Sequence, residues 1–215
     1  MNHLYGAWRA RVQRGVMVLL ATLALSATAA AAPARIVLVL GDSLSAGYGL
    51  AASQGWVALT SQKMRGTHPQ WRLVNASISG ETTAGGAARI SAELKRLKPA
   101  VVVIELGAND GLRGLSLQQT RANLDATIAA CVRSGSKVLL VGMRLPPNFG
   151  PAYTQGFEKN YVDLAKRYKT AFLPFLLAPI ASDRNNFQAD NLHPVAAAQP
   201  RLRDHVWPAL LPLLR

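Results

Sequence analysis

One cysteine in 215 residues, Cys131, excludes a disulfide scaffold. The four histidines show no H-x-x-x-H spacing and no C-x-x-C pair exists, so the residue types that hold metals are not grouped as a metal site needs. Acidic residues are scarce, 11 against 24 Lys and Arg, which gives a formal charge of +13. Charged residues make up only 16% and hydrophobic residues 50%, a composition that excludes intrinsic disorder, while 17 Gly and 12 Pro without a period exclude collagen-like repeats. Beyond residue 33 there is no internal repeat, low-complexity tract or linker. The reading is therefore one domain, 34–215, large enough to bury a sizeable core.

Residues 1–33 read as a targeting segment. Arg9, Arg11 and Arg14 form a basic start without any acid, residues 16–25 are apolar, and 26–32 are small. This is the pattern of a signal peptide cleaved near 29–32, after Ala29 or Ala31, since Pro33 disfavours a cut immediately before it. An uncleaved anchor helix is the competing reading, but the Ala/Ser/Thr tail is less apolar than a membrane span requires. No cysteine near the cleavage region marks a lipoprotein. Export to the periplasm or beyond is expected. Losing three arginines lowers the formal charge from +13 to +10. Such an excess suits nucleic acid, an anionic membrane surface or acidic substrates, and a dispersed solvated exterior is the stronger, plainer reading. An exported protein seldom meets nucleic acid, so none is expected as a partner, and peripheral contact with an anionic membrane leads among the specific readings.

After residue 34, β-rich runs at 35–40, 71–75, 100–106, 137–143 and 171–175 alternate with stretches of helical period. The helices fall near 54–65, around Ile90, Leu94 and Leu97, around Leu117, Leu124, Ile128 and Cys131, and around Phe157, Tyr161, Leu164 and Tyr168. A last helix is expected directly after Pro194, with Pro208 ending or kinking it. Val101-Val102-Val103-Ile104 is apolar on consecutive positions, the mark of a central parallel strand covered on both faces. Alternating strands and helices then give a doubly wound three-layer α/β/α sandwich, with its site beyond the carboxyl ends of the strands. Lys95, Arg96 and Lys98, like Lys166, Arg167 and Lys169, close helices at the opposite pole, where cations favour the helix dipole. Cys131 lies on an apolar helical stripe and reads as a core thiol.

Four segments stand at the site pole: Gly41-Asp42-Ser43-Leu44-Ser45, Ser79-Gly80-Glu81, Gly107-Ala108-Asn109-Asp110 and Asp190-Asn191-Leu192-His193-Pro194. Each has a plain structural reading as a cap, turn or loop. Together they hold complementary groups. A hydroxyl needs a base to become a nucleophile and a third group to orient that base, and Ser43, His193 and Asp190 supply the three. Attack on an acyl carbon creates an oxyanion, for which the amides of Ser43 and Gly80 and the Asn109 side chain are available donors. Gly80 suits a close backbone approach with positive φ. His3, His68 and His205 have no such setting.

These four blocks resemble those of the SGNH (GDSL) hydrolases, and the likeness spans the chain after residue 34. The stretches Asn75-Ala76-Ser77-Ile78-Ser79-Gly80-Glu81-Thr82, Asn109-Asp110-Gly111-Leu112-Arg113-Gly114 and Arg144-Leu145-Pro146-Pro147-Asn148 look like the subgroup of multifunctional thioesterase, protease and lysophospholipase enzymes with their arylesterase relatives. The resemblance implies a flavodoxin-like five-stranded parallel sheet and a Ser43–His193–Asp190 triad. It further implies an oxyanion hole of Ser43, Gly80 and Asn109, with no cofactor and no metal. It also implies a mobile loop over residues 79–89 and an acyl crevice bordered by Leu145 and Pro146. The expected activity is hydrolysis of carboxylic esters and thioesters through an acyl-enzyme, on a small-molecule acyl substrate and by a monomer. A carbohydrate or peptidoglycan O-acetyl esterase is the alternative within enzymes, and a non-catalytic envelope-binding module the alternative outside them.

Overall fold

The computed structural model describes residues 34–215; the targeting segment read in 1–33 lies outside them. Five strands, β1 (Arg35–Gly41), β2 (Trp71–Asn75), β3 (Val101–Glu105), β4 (Lys137–Val141) and β5 (Ala171–Leu173), form one parallel sheet in the order β2-β1-β3-β4-β5. This is the flavodoxin-like order that the resemblance implied. All five residues of β3 are buried, as its unbroken apolar run requires of a strand covered on both faces.

The helices are α1 (Ser43–Ala46), α2 (Trp56–Thr67), α3 (Thr83–Leu97), α4 (Ala108–Leu112), α5 (Leu117–Arg133), α6 (Pro151–Tyr168) and α7 (Gln199–Leu210). The β1-to-β2 connection moves one way along the sheet and the β2-to-β3 connection moves back past β1. Right-handed crossovers therefore place α2 on one face and α3, α5 and α6 on the other. The packing agrees: α2 lies against α7, while α5 lies against both α3 and α6. Because the chain leaves β1 and β3 toward opposite faces, a crevice opens at their carboxyl ends. The register sets Gly41 beside Glu105 at that edge.

Strand starts match the sequence reading to within a residue, β1 and β2 end within a residue of it, and β3, β4 and β5 fall one or two residues short. The Gly142 N–H, donating to the Leu173 carbonyl at 2.7 Å, makes the last bond between β4 and β5. Gly107, at φ +116°, turns the chain after β3 before it enters α4. Two expectations for the last helix are corrected. Pro194 is not its first residue but pairs with Phe187 in an isolated antiparallel bridge; a 3-10 turn at Ala196–Ala198 leads into α7, which carries Pro200 in its first turn. Pro208 does not end α7, which runs on to Leu210 before tightening into 3-10 geometry. α2 begins at Trp56 rather than 54 because the buried Gln199 side chain of α7 accepts its first N–H at 2.8 Å.

The expected loop over 79–89 is also corrected. Thr82 caps α3, and residues 83–89 are its first two turns. Gly86 in the second of these turns is a packing position, since a Cβ there would collide with Leu106 just past β3. Lys98 and Lys169 are the left-handed C-caps of α3 and α6, so the basic clusters do close helices away from the crevice.

Candidate active site

α1 is one turn long, and the identity of its cap decides what the serine can do. Asp42 is the N-cap and accepts the Leu44 N–H at 3.0 Å, so Ser43 occupies the first helical position with its hydroxyl free to face outward. That hydroxyl lies 2.8 Å from Nε2 of His193, a contact across 150 residues of sequence. Nδ1 of His193 lies 2.7 Å from Oδ2 of Asp190. The other oxygen of Asp190 accepts two backbone N–H groups, from Leu192 at 2.9 Å and His193 at 3.0 Å. The His193 N–H, first among these partners, holds the Asp190 carboxyl down to about 2, so it is ionised at neutral pH. An ionised acceptor at Nδ1 fixes the proton there and leaves the Nε2 lone pair facing Ser43.

The loop that presents His193 is tied to the serine turn. Gln188 takes the His193 carbonyl through its backbone N–H at 2.8 Å and donates its side-chain NH2 to the Tyr48 carbonyl at 2.9 Å. The Tyr48 ring lies 4.5 Å from the imidazole, tilted by 38°. Tyr48 was not singled out by the sequence reading, because an aromatic five residues past Ser43 carries no periodic signal.

Gly80 has φ +80°, a left-handed conformation that favours glycine, and it lines the cavity beside Ser43. Asn109 is the second residue of α4, and its Nδ2 donates to Asp42 Oδ2 at 3.2 Å and to the Glu81 carbonyl at 3.0 Å. Both of its hydrogens therefore have protein acceptors in this state. Asp110, next to it, is buried and accepts the Thr83 N–H at 2.8 Å and the Thr83 hydroxyl at 2.5 Å, which locks α4 to the start of α3. Ser43, Gly80, Asn109 and His193 all line one cavity of about 460 Å³. Leu145 and Pro146 line it too, so every residue read as a site residue reaches this cavity or, for Asp190, the histidine within it. Tyr48, Leu112, Met143, Leu177 and Phe187 make its wall largely apolar.

Below the serine turn lies a group that the sequence reading missed. Glu105 is fully buried, accepts the Ser45 hydroxyl at 2.6 Å and the Asp42 N–H at 3.4 Å, and leaves Oε1 without a partner. Burial, reinforced by the charge of Asp42, raises its carboxyl well above the usual range; burial raises that of Asp42 as well. The available signal was an acid ending an apolar run. Cys131, by contrast, lies where its stripe placed it, fully buried, with its thiol pushed up to about 12.

A carboxyl-edge crevice with carboxylate, imidazole and hydroxyl in series, beside amide donors and an apolar cavity, defines a serine hydrolase of acyl groups. The sequence profile of the GDSL-like Lipase/Acylhydrolase family matches residues 39–199, and the chain belongs to that family. It is 50% identical over 183 residues, 85% of this chain and 91% of the relative, to Esterase TesA of Pseudomonas aeruginosa. It is 41% identical over 184 residues, 86% of this chain and 87% of the relative, to Thioesterase 1/protease 1/lysophospholipase L1 of Escherichia coli. Among solved structures, a psychrotrophic esterase EstA from Pseudoalteromonas sp., inhibited by monoethylphosphonate, superposes with a TM-score of 0.80 at 37% identity, covering 84% of this chain and 98% of that one.

Proposed function

We propose that this hydrolase is an exported enzyme that cleaves carboxylic esters and thioesters through an acyl-enzyme on Ser43. The observation that carries the reading is the 2.8 Å approach of Ser43 Oγ to His193 Nε2, backed by Asp190 at 2.7 Å. Ser43 Oγ attacks the acyl carbon as its proton passes to His193 Nε2, and Asp190 stabilises the imidazolium that forms. The amides of Ser43 and Gly80 and the Asn109 side chain receive the oxyanion. For Asn109 this means exchanging the neutral Glu81 carbonyl for a charged acceptor, a favourable trade because charge-assisted hydrogen bonds are roughly twice as strong as neutral ones. Collapse breaks the bond to the alcohol or thiol, which leaves with the proton held by His193. Water then attacks the acyl-enzyme with His193 as base, and Ser43 regains its proton as the acid departs. Activity falls on acidification, since a protonated His193 can no longer accept the serine proton.

The apolar wall of the cavity supports acyl chains, lysophospholipids and aryl esters as substrates, with Leu145 and Pro146 beside the chain. Export, supported by the targeting pattern in 1–33, separates the enzyme from intracellular acyl-CoA, so thioesterase activity is a capacity rather than its duty. Tyr48, Leu112 and Leu192 line the cavity and also stand among the exposed large apolar side chains. With the basic balance of the chain, they support peripheral contact with an anionic lipid surface. The catalytic groups come from one chain, which is consistent with a working monomer.

The test is a panel of p-nitrophenyl esters of rising chain length with palmitoyl-CoA, lysophosphatidylcholine and an acetylated oligosaccharide, run on the protein and on Ser43→Ala. Removing the nucleophile should lower kcat by about 10⁴–10⁶ with an unchanged circular dichroism spectrum. Retained turnover in Ser43→Ala sinks the mechanism, and activity confined to acetylated sugars sinks the substrate class.

A further inference from the structure

Arg113 is the C-cap residue of α4, one turn beyond Asn109, so its side chain reaches back along the helix to the Asn109 amide. One guanidinium nitrogen, Nη2, donates to two acceptors: the Gly80 carbonyl at 3.1 Å and Asn109 Oδ1 at 3.4 Å. These acceptors belong to the two residues that bring donors to the cavity from outside the serine turn. No carboxylate among the described residues lies within ion-pairing distance of Arg113, so the cation is committed to neutral carbonyl oxygens.

The Asn109 amide is thereby gripped at both ends with opposite polarity. Acceptors, Asp42 Oδ2 and the Glu81 carbonyl, hold its NH2 end, and a donor, Arg113, holds its oxygen end. Turning the amide over would set oxygen against oxygen and NH2 against guanidinium. When an oxyanion takes one hydrogen from the Glu81 carbonyl, the link between the Gly80 turn and α4 through Asn109 Nδ2 is lost. The Arg113 bridge between the same two segments remains. We infer that Arg113 is a positioning residue of the oxyanion hole: it clips the Gly80 turn to α4 and keeps the two donors in register while the tetrahedral intermediate forms. This rests on the reading of Gly80 and Asn109 as oxyanion donors.

The experiment compares wild type, Arg113→Ala, Arg113→Lys, Asn109→Ala and the Asn109→Ala/Arg113→Ala double variant on a soluble p-nitrophenyl ester, with Ser43→Ala as the inactive control. Misplacement of reacting groups by about 1 Å can lower rates about 10²-fold. Arg113→Ala should therefore lower kcat by about 10- to 100-fold with KM within about twofold. Arg113→Lys, whose ammonium can reach only one carbonyl well, should recover part of the loss. Once Asn109 is gone, removing Arg113 should have a much smaller effect than it has alone, which is the signature of residues acting as one unit. Because Arg113 is exposed, its variants should keep the wild-type denaturation midpoint. A kcat within twofold of wild type in Arg113→Ala, a loss confined to KM, or full additivity with Asn109→Ala overturns the inference. If Asn109→Ala is itself as active as wild type, the oxyanion assignment fails, and the inference with it; if only Arg113→Ala is, the inference fails alone.

Discussion

At the scale of single residues, the site divides acceptors from donors around one amide. Asp42 caps the serine turn with one oxygen and holds Asn109 with the other, which joins the backbone of that turn to the side chain proposed as an oxyanion donor. Asn109→Ala removes that donor, and kcat should fall by about 10²–10³, or roughly 2.7–4 kcal/mol of transition-state stabilisation. A smaller loss, with turnover near wild type, would move the hole elsewhere. Glu105 gives a prediction of the opposite kind, one of stability. Its carboxyl is raised in the folded protein, so the folded state holds the proton more tightly than the unfolded chain does. The associated stabilisation is complete below the ordinary carboxylate range and is lost as pH rises toward the folded value. Melting temperatures of the wild type should therefore decline with rising pH more steeply than those of Glu105→Gln, which keeps an acceptor for Ser45 but has no proton to lose. Parallel curves for the two proteins would remove Glu105 from that account.

Among the elements, short helices do the work that the sequence pattern describes least. α1 and α4 are four and five residues long, too short for a helical period to repeat, yet they carry Ser43 and Asn109. The motifs marked those residues as reactive types at strand ends, and the unbroken apolar run of β3 placed the central strand. Periodicity could not show that Asp42 rather than Ser43 is the cap, nor that Gln199, 143 residues away, supplies the cap of α2. Those choices depend on which side chains the sheet brings together. The first turns of α3 were read as loop for the same reason, since what demands the smallness of Gly86 is Leu106, far from it in sequence. Gly107 tests the link between a turn and the site. It sits at φ +116°, where a side chain is strained, and a Cβ would strike the Tyr161 hydroxyl, which donates to the Leu106 carbonyl at 2.9 Å. Gly107→Ala should lower stability by roughly 1–3 kcal/mol from the backbone alone. It should reduce turnover further by displacing α4, and urea titration with parallel kinetics reads both. A variant with wild-type midpoint and rate would show that the turn tolerates a side chain.

For the molecule as a whole, the strand order explains why distant segments meet. The reversal between β1 and β3 opens the crevice, and the segment after β5 returns across it to deliver His193 to Ser43. That return is held by the Phe187–Pro194 bridge and by Gln188, so the reactive arrangement exists only when the end of the chain has docked on its beginning. The motifs made the meeting of these segments legible. The route was not, because Pro194 serves the bridge instead of the helix.

The sealed sulfur of α5 gives the molecule a built-in clock. Cys131 has no exposed surface, and its thiol has little tendency to ionise at neutral pH. A thiol-specific dye added to the native protein should leave it unmarked for far longer than it takes to mark the denatured chain completely. Any colour that develops then counts openings of the interior, and its rate in rising denaturant measures how often the sandwich comes apart. Rapid marking in native buffer would mean that the layers breathe without unfolding.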